Sequence, residues 1–349
     1  MDFSRRKTIK NLGLGLVGAP AFLSAGSLLN ACTPKAGEQS SEAGTSAEAA
    51  SLFFTISLAQ WSLHKSFFGK SMELSWEDRR KLMDTDASAL LQGDIDPLDF
   101  PVIARKEYGI SAVEYVNQFY YNKAEDMAYL TELKNRCDGE GVRSVLIMCD
   151  GEGNLGDLDT AARTKAVENH YKWVNAAKFL GCHSIRVNAA GNGTADEVRD
   201  AAIDGLGRLT EYGKQNEINV IVENHGGYSS DAKWLTSVIS AVNSPSCGVL
   251  PDFGNFCIER GPDGCVNEYD RYLGLEELMP YAKGVSAKSN EFDAEGNDTK
   301  SDYTRMLKTV KDAGFTGFIG IEYEGSTLSE PEGIRATKAL LERVGAQLS

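Results

Sequence analysis

Short apolar runs alternate with longer amphipathic stretches along this chain, and the alternation begins near Leu52. The short runs are Phe54–Leu58, Ala112–Tyr115, Ser144–Met148, Ser184–Val187, Asn219–Glu223, Gly248–Asp252, Gly284–Ala287 and Phe318–Glu322. Most are apolar at successive positions and rich in β-branched residues, the pattern of strands buried on both faces. Between them, Thr160–Leu180, Thr194–Gln215, Ala232–Val242, Tyr303–Ala313 and Pro331–Val344 carry apolar residues at helical spacing. Thr194 followed by Glu197 is a capping-box signature, and Gly181 and Gly314 stand where helices stop just before a strand. Eight strand–helix units in this order predict a (β/α)8 TIM barrel. A doubly wound open sheet competes, but no Gly-x-Gly-x-x-Gly follows the first strand. The polar insertion Gly69–Asp96 predicts helices or a lid over the barrel mouth.

Three of the runs end on a carboxylate, at Glu223, Asp252 and Glu322. A buried carboxylate is costly unless it is paired, hydrogen-bonded or metal-bound. In a parallel barrel the C-terminal strand ends converge, so the three predict one shared site. Other polar groups cluster at the same ends: Gln60, Trp61 and His64; Glu114, Asn117 and Tyr120; Asp150; Arg186 and Asn188; His225; Asn255; Lys288; and Glu324. Lys288 on a buried strand needs an acidic partner. Arg186 either contacts a ligand or pairs with Glu223 or Asp150, and His64 is either a contact or an exposed loop residue. Mid-helix His170 and His183, at a helix–strand join, read as structural.

At these residues the sequence resembles the xylose-isomerase-like barrels, in particular their sugar isomerase and epimerase branch. The likeness runs from Leu52 to the C-terminus and rests on Val222-Glu-Asn-His225, Pro251-Asp-Phe-Gly-Asn255, Lys283-Gly-Val-Ser-Ala-Lys288 and Gly320-Ile-Glu-Tyr-Glu-Gly325. The resemblance implies a divalent metal held by acidic and histidine ligands on strands five to eight. Glu223, Asp252 and Glu322 match three of these. The fourth, usually histidine, is Ser286, and a second family histidine is Asn255. Serine is a poor stand-in for imidazole, so three readings stay open. The site holds a hard ion such as Mn²⁺ or Mg²⁺ through carboxylates and water, or His225 supplies the missing nitrogen, or Lys288 balances the acids without metal.

The implied chemistry is proton transfer beside a carbonyl through an enediolate, with Glu223 and Glu322 as the acid/base pair and Lys288 or metal stabilising charge. Elimination from a keto-sugar is a close variant. His64, Asn117, Arg186, Asn188 and Asn255 are the candidate contacts to a small-molecule sugar. Trp61 and Phe119-Tyr-Tyr121 either stack on the sugar ring or pack in the core. The alternative function is a non-catalytic carbohydrate-binding lipoprotein that kept the barrel and lost the metal.

The N-terminus reads as a targeting segment. Arg5-Arg6 precedes the mildly apolar, glycine-rich Leu12–Leu29, and Leu29-Asn30-Ala31-Cys32 resembles a lipobox. The expected organisation is a twin-arginine signal over residues 1–31, a flexible tether over 32–51 lipidated at Cys32, and a catalytic barrel over 52–349. The protein would then be an exported lipoprotein, anchored by that lipid on the periplasmic side or the cell surface. A net charge of −14 argues against nucleic acid as a partner. The chain's four histidines are too few for the multi-zinc repair endonucleases of the same superfamily. Cys137, Cys149, Cys182, Cys247, Cys257 and Cys265 lack zinc-ribbon spacing and read as buried thiols, although Cys257 and Cys265 could bridge a loop.

Overall fold

The computed structural model describes residues 52–349; the expected signal and tether, with Cys32, lie outside the described residues. Eight parallel strands form the barrel wall: β1 (Thr55–Ala59), β2 (Ala112–Val116), β3 (Arg143–Met148), β4 (Ser184–Val187), β5 (Asn219–Glu223), β6 (Cys247–Leu250), β9 (Val285–Ser289) and β10 (Phe318–Tyr323). β7 (Cys257–Gly261) and β8 (Gly264–Glu268) form a separate antiparallel hairpin. The wall runs in the order β6-β5-β4-β3-β2-β1-β10-β9. It closes between β6 and β9 through only two isolated parallel bridges, Val249 to Ala282 and Asp252 to Ser286. The amide of Ser286 donates to Pro251 O, and that of Phe253 to Ser286 O. The thinnest seam of the barrel therefore passes through the candidate site.

Among the described residues ten α-helices accompany the strands: α1 (His64–Phe68), α2 (Trp76–Asp86), α3 (Phe100–Tyr108), α4 (Met127–Glu140), α5 (Thr160–Leu180), α6 (Ala195–Gln215), α7 (Ala232–Val242), α8 (Arg271–Leu278), α9 (Tyr303–Asp312) and α10 (Glu330–Leu348). The capping box at Thr194 and Glu197 opens α6, and a second, Ser329 with Glu332, opens α10. Gly181 ends α5 in the left-handed conformation at φ +82°, which is what lets the chain turn straight into β4. The expected barrel and its eight strands are present. The insertion after the first strand contributes α2 and flanking short 3-10 turns.

One expectation needs correction, and one open alternative is decided. Cys257 and Cys265 are bonded to each other, not free: the β7–β8 ladder brings their Cα atoms to 5.7 Å. The other four thiols are buried, as expected. Phe119 and Tyr120 are fully packed among Phe67, Phe68, Tyr115 and Trp173, so they are core residues and do not form a sugar platform. Among the described residues no helix is long and apolar enough to cross a membrane.

Candidate active site

Successive strand side chains point to opposite faces, so residues two apart share one. This places Met148 and Asp150, Arg186 and Asn188, Glu223 and His225, Ser286 and Lys288, and Glu322 and Glu324 on inward-facing lines. Asp150, Arg186, Asn188, His225, Glu322 and Glu324 wall one cavity of about 440 Å³ at the C-terminal end of the barrel. Glu223, Asp252 and Glu322 are all buried and bring carboxylate oxygens within 4.8 Å of one another. Glu322 lines the cavity, whereas Glu223 and Asp252 do not.

Two cations offset these acids. Arg186 donates through Nη1 to Asp150 Oδ1 at 2.8 Å, and its Nε lies 2.8 Å from Glu223 Oε2. The second contact is close but lacks hydrogen-bond alignment, leaving both atoms without a directed partner. Lys288 Nζ lies 3.0 Å from Glu322 Oε1 and 3.4 Å from Glu324 Oε1, and donates to Asn255 Oδ1 at 3.2 Å. Asn255 in turn donates to Glu223 Oε1 at 2.9 Å, so one amide links the two cationic networks. Ser286 stands where the family histidine is expected; its hydroxyl donates to Asp252 Oδ2 at 2.6 Å and lies 3.3 Å from Glu322 Oε2.

Two cations do not fully compensate this much buried negative charge. Burial pushes Asp252 up to about 8 and Glu223 up to about 7, the latter despite Arg186. Burial also raises Asp150, but Arg186 and His225 outweigh it and hold that carboxyl low. For Lys288 the acids win over desolvation, and its pKa rises well above normal. Burial and Arg186 push His225 down to about 4. Deeper in the barrel, Glu114 accepts the Ser57 hydroxyl at 2.6 Å, while its other oxygen has no partner. A Cβ on Gly320 would lie 2.6 Å from that carboxylate, so the glycine makes its room. Burial pushes Glu114 to about 8, which makes it a neutral acid at pH 7.

The donor set fits a hard divalent cation. Converging carboxylate oxygens, one of them buried without an aligned donor, form an anionic pocket whose charge Arg186 and Lys288 only partly offset. A neutral hydroxyl beside them adds another oxygen, and oxygen-only sets suit Mg²⁺ or Mn²⁺ better than zinc. His225 lies outside the three converging groups and faces both the cavity and an adjoining cleft of about 200 Å³.

The remaining sequence candidates separate clearly. Asn188 donates to Asp150 Oδ1 at 2.7 Å and lines the cavity. Asn117 is buried and trades side-chain hydrogen bonds with the backbone of Asp150, which fixes the β3 loop. His64 is buried too, stacked on Trp61 at 4.8 Å with Nδ1 2.7 Å from Trp61 O, and it does not line the cavity. Trp61 lines it and donates to Glu324 Oε1 at 2.6 Å. Sequence reasoning missed Arg80, Gln118 and Asn154 on the cavity wall. Nothing in the periodicity marks them, because all three lie on segments outside the strands.

The chain matches the family model described as the xylose isomerase-like TIM barrel over residues 103–344. It has no match among curated proteins by sequence. Similar solved structures include an L-ribulose 3-epimerase (13% identity, TM-score 0.60, covering 84% of this chain and 95% of that one). Others are the 3-keto-D-glucoside 4-epimerase of E. coli (13%, 0.58, 72% and 95%) and a magnesium-bound xylose isomerase-like barrel from Mycobacterium smegmatis (15%, 0.58, 84% and 97%). At these identities the likeness is one of fold. The family match covers well over half of the sequence, and the chain belongs to the xylose isomerase-like TIM barrel family.

Proposed function

We propose that this protein is a sugar isomerase or epimerase that moves a proton on a carbon next to a carbonyl, through an enediolate. The observation that carries the reading is the convergence of Glu223, Asp252 and Glu322 within 4.8 Å, with Glu322 lining a cavity walled by amides and charged groups. Several solved neighbours bear the names of sugar epimerases. Glu322, the member of the triad on the cavity wall, takes the proton, and Glu223 is the second acid/base of the pair. Asn188, Gln118 and Asn154 offer amide groups to sugar hydroxyls, and Lys288 holds Glu322 in place and offsets its charge. Glu223, Asp252 and Glu322 would hold Mg²⁺ or Mn²⁺. When bound, such an ion supplies Lewis-acid polarisation of neighbouring carbonyl and hydroxyl oxygens. Loss of a β-leaving group after the same proton abstraction would give elimination.

One observation favours the second reading, a carbohydrate-binding protein without metal: Ser286 and Lys288 already satisfy oxygens of Asp252 and Glu322. Metal analysis of the full chain separates the two. The enzyme reading expects about one divalent ion per chain and a higher melting temperature on adding Mn²⁺ or Mg²⁺. No metal and no shift sink it.

We further propose export and lipid anchoring at Cys32. The Cys257–Cys265 disulfide supports this, since such bonds persist in oxidising compartments. Labelling with a radioactive fatty acid checks it: Cys32→Ser should lose the label, and retained label contradicts the anchor.

A further inference from the structure

The excursion between α1 and α3 is pinned at its base. Gly69 and Gln92 form a bridge, and the amide of Gly93 donates to Phe67 O at 2.9 Å. A Cβ on Gly93 would fall 1.8 Å from the carbonyl oxygen of Ser66, so no other residue permits this approach. From that base α2 extends over the loop after β3. Met83 is buried there, and a Cβ on Gly151 would meet its Cε at 2.8 Å. One turn earlier, Arg80 donates through Nη2 to Gly151 O at 3.2 Å and lines the cavity. The fold thus delivers a guanidinium to the cavity rim from a segment that is not part of the barrel.

The state of its charge sets Arg80 apart. Among the described residues the cavity wall carries two arginines, Arg80 and Arg186. Arg186 is committed to Asp150 and Glu223. Arg80 has only Asp84, 3.8 Å away in a pair whose side chains are 44% and 56% exposed, and such a pair contributes little. Elsewhere on the same lining, Asp150, Glu322 and Glu324 would repel an anion. A ligand with one acidic end is therefore oriented with its neutral end toward Glu322 and its acid toward Arg80.

We propose that Arg80 is a specificity-determining residue that receives a carboxylate, so that the preferred substrate is a sugar acid such as a uronate. The inference rests on the sugar reading above and narrows it. A single planar fork matches one carboxylate in bidentate fashion. A phosphate dianion would face a protein of net charge −14 with no second free cation beside Arg80 on the wall.

The test is binding to the full chain, read by calorimetry and by melting temperature, with D-glucuronate and D-galacturonate set against D-glucose and D-galactose. The wild type is expected to bind each uronate about tenfold or more tighter than its neutral parent, the scale of one charge-assisted pair. Arg80→Gln should bring that ratio to about one, and Arg80→Lys should restore part of it. A residue that merely locks the lid would weaken acid and parent equally and leave the ratio unchanged, which overturns the proposal. Equal or absent uronate binding by the wild type does so as well, and so does tighter binding of glucose 6-phosphate than of either uronate. Acid preference in a protein that exchanges no substrate proton would instead remove the isomerase reading and leave the role of Arg80 standing.

Discussion

The two ends of the barrel interior are built from the same strands and hold opposite chemistry. One pleat below the polar groups, Leu146 and Leu250 pack beside Gly284, whose missing side chain leaves them room: a Cβ there would be 2.9 Å from Leu250. Two residues further along the same faces stand Met148, Asp252 and Ser286, and beyond these come Asp150 and Lys288. The first end is stabilised by apolar burial and close contact, so any lost volume costs directly. The second is a set of charges that cancel imperfectly, and buried charge clusters are often no better for stability than apolar groups of the same size. On β3, β5 and β6 the charged end is tied to apolar packing by Leu146, Ile221 and Leu250, two residues before Met148, Glu223 and Asp252.

The comparison breaks most severely at Lys288. Lys288→Met leaves Glu322 and Glu324 without their ammonium, and should cost about 4 kcal/mol of stability by chemical denaturation as well as all proton exchange. A variant of wild-type stability would show that those acids do not depend on the lysine. At the other end, Leu146→Ala should cost about 3 kcal/mol through the cavity it opens. The exchange rate per folded molecule should stay near wild type, and a large fall would show that the two ends are not separable.

Glu114 lies between the ends and gives a pH signature. Its folded pKa is raised to about 8 from a normal 4.5, so the folded state binds more protons than the unfolded state between those values. Its contribution is present below about pH 4.5 and lost as pH rises toward 8. Between about pH 5 and pH 7, wild type should lose on the order of 3 kcal/mol relative to Glu114→Gln. Parallel stability curves for the two proteins would show that Glu114 titrates normally.

Much of this was legible in the sequence because it depends on local pattern. Apolar β-branched runs marked the strands, the Thr194–Glu197 capping box placed the start of α6, and a carboxylate at the end of a buried run pointed to the triad. What escaped depends on pairs distant in sequence. Trp61 meets Glu324 across 263 positions, and Asn255 meets Glu223 across 32. Arg186 was expected to bind a ligand or to pair with one of two acids; it pairs with both, which no spacing reveals. The β7–β8 hairpin escaped because its strands are mostly exposed, with no apolar alternation to mark them; the Cys257–Cys265 bridge was visible only as a possibility, since sequence alone did not pair the two strands.

The most direct measurement of the central claim is solvent-deuterium incorporation, by mass spectrometry, into a panel of keto-sugars and their uronate counterparts incubated with the full chain. The account predicts incorporation at a carbon beside the carbonyl that needs Mg²⁺ or Mn²⁺, stops with a chelator, and disappears in Glu322→Gln and Glu223→Gln while both variants remain folded. No incorporation into any member of the panel, or incorporation that survives the chelator and both substitutions, would contradict it.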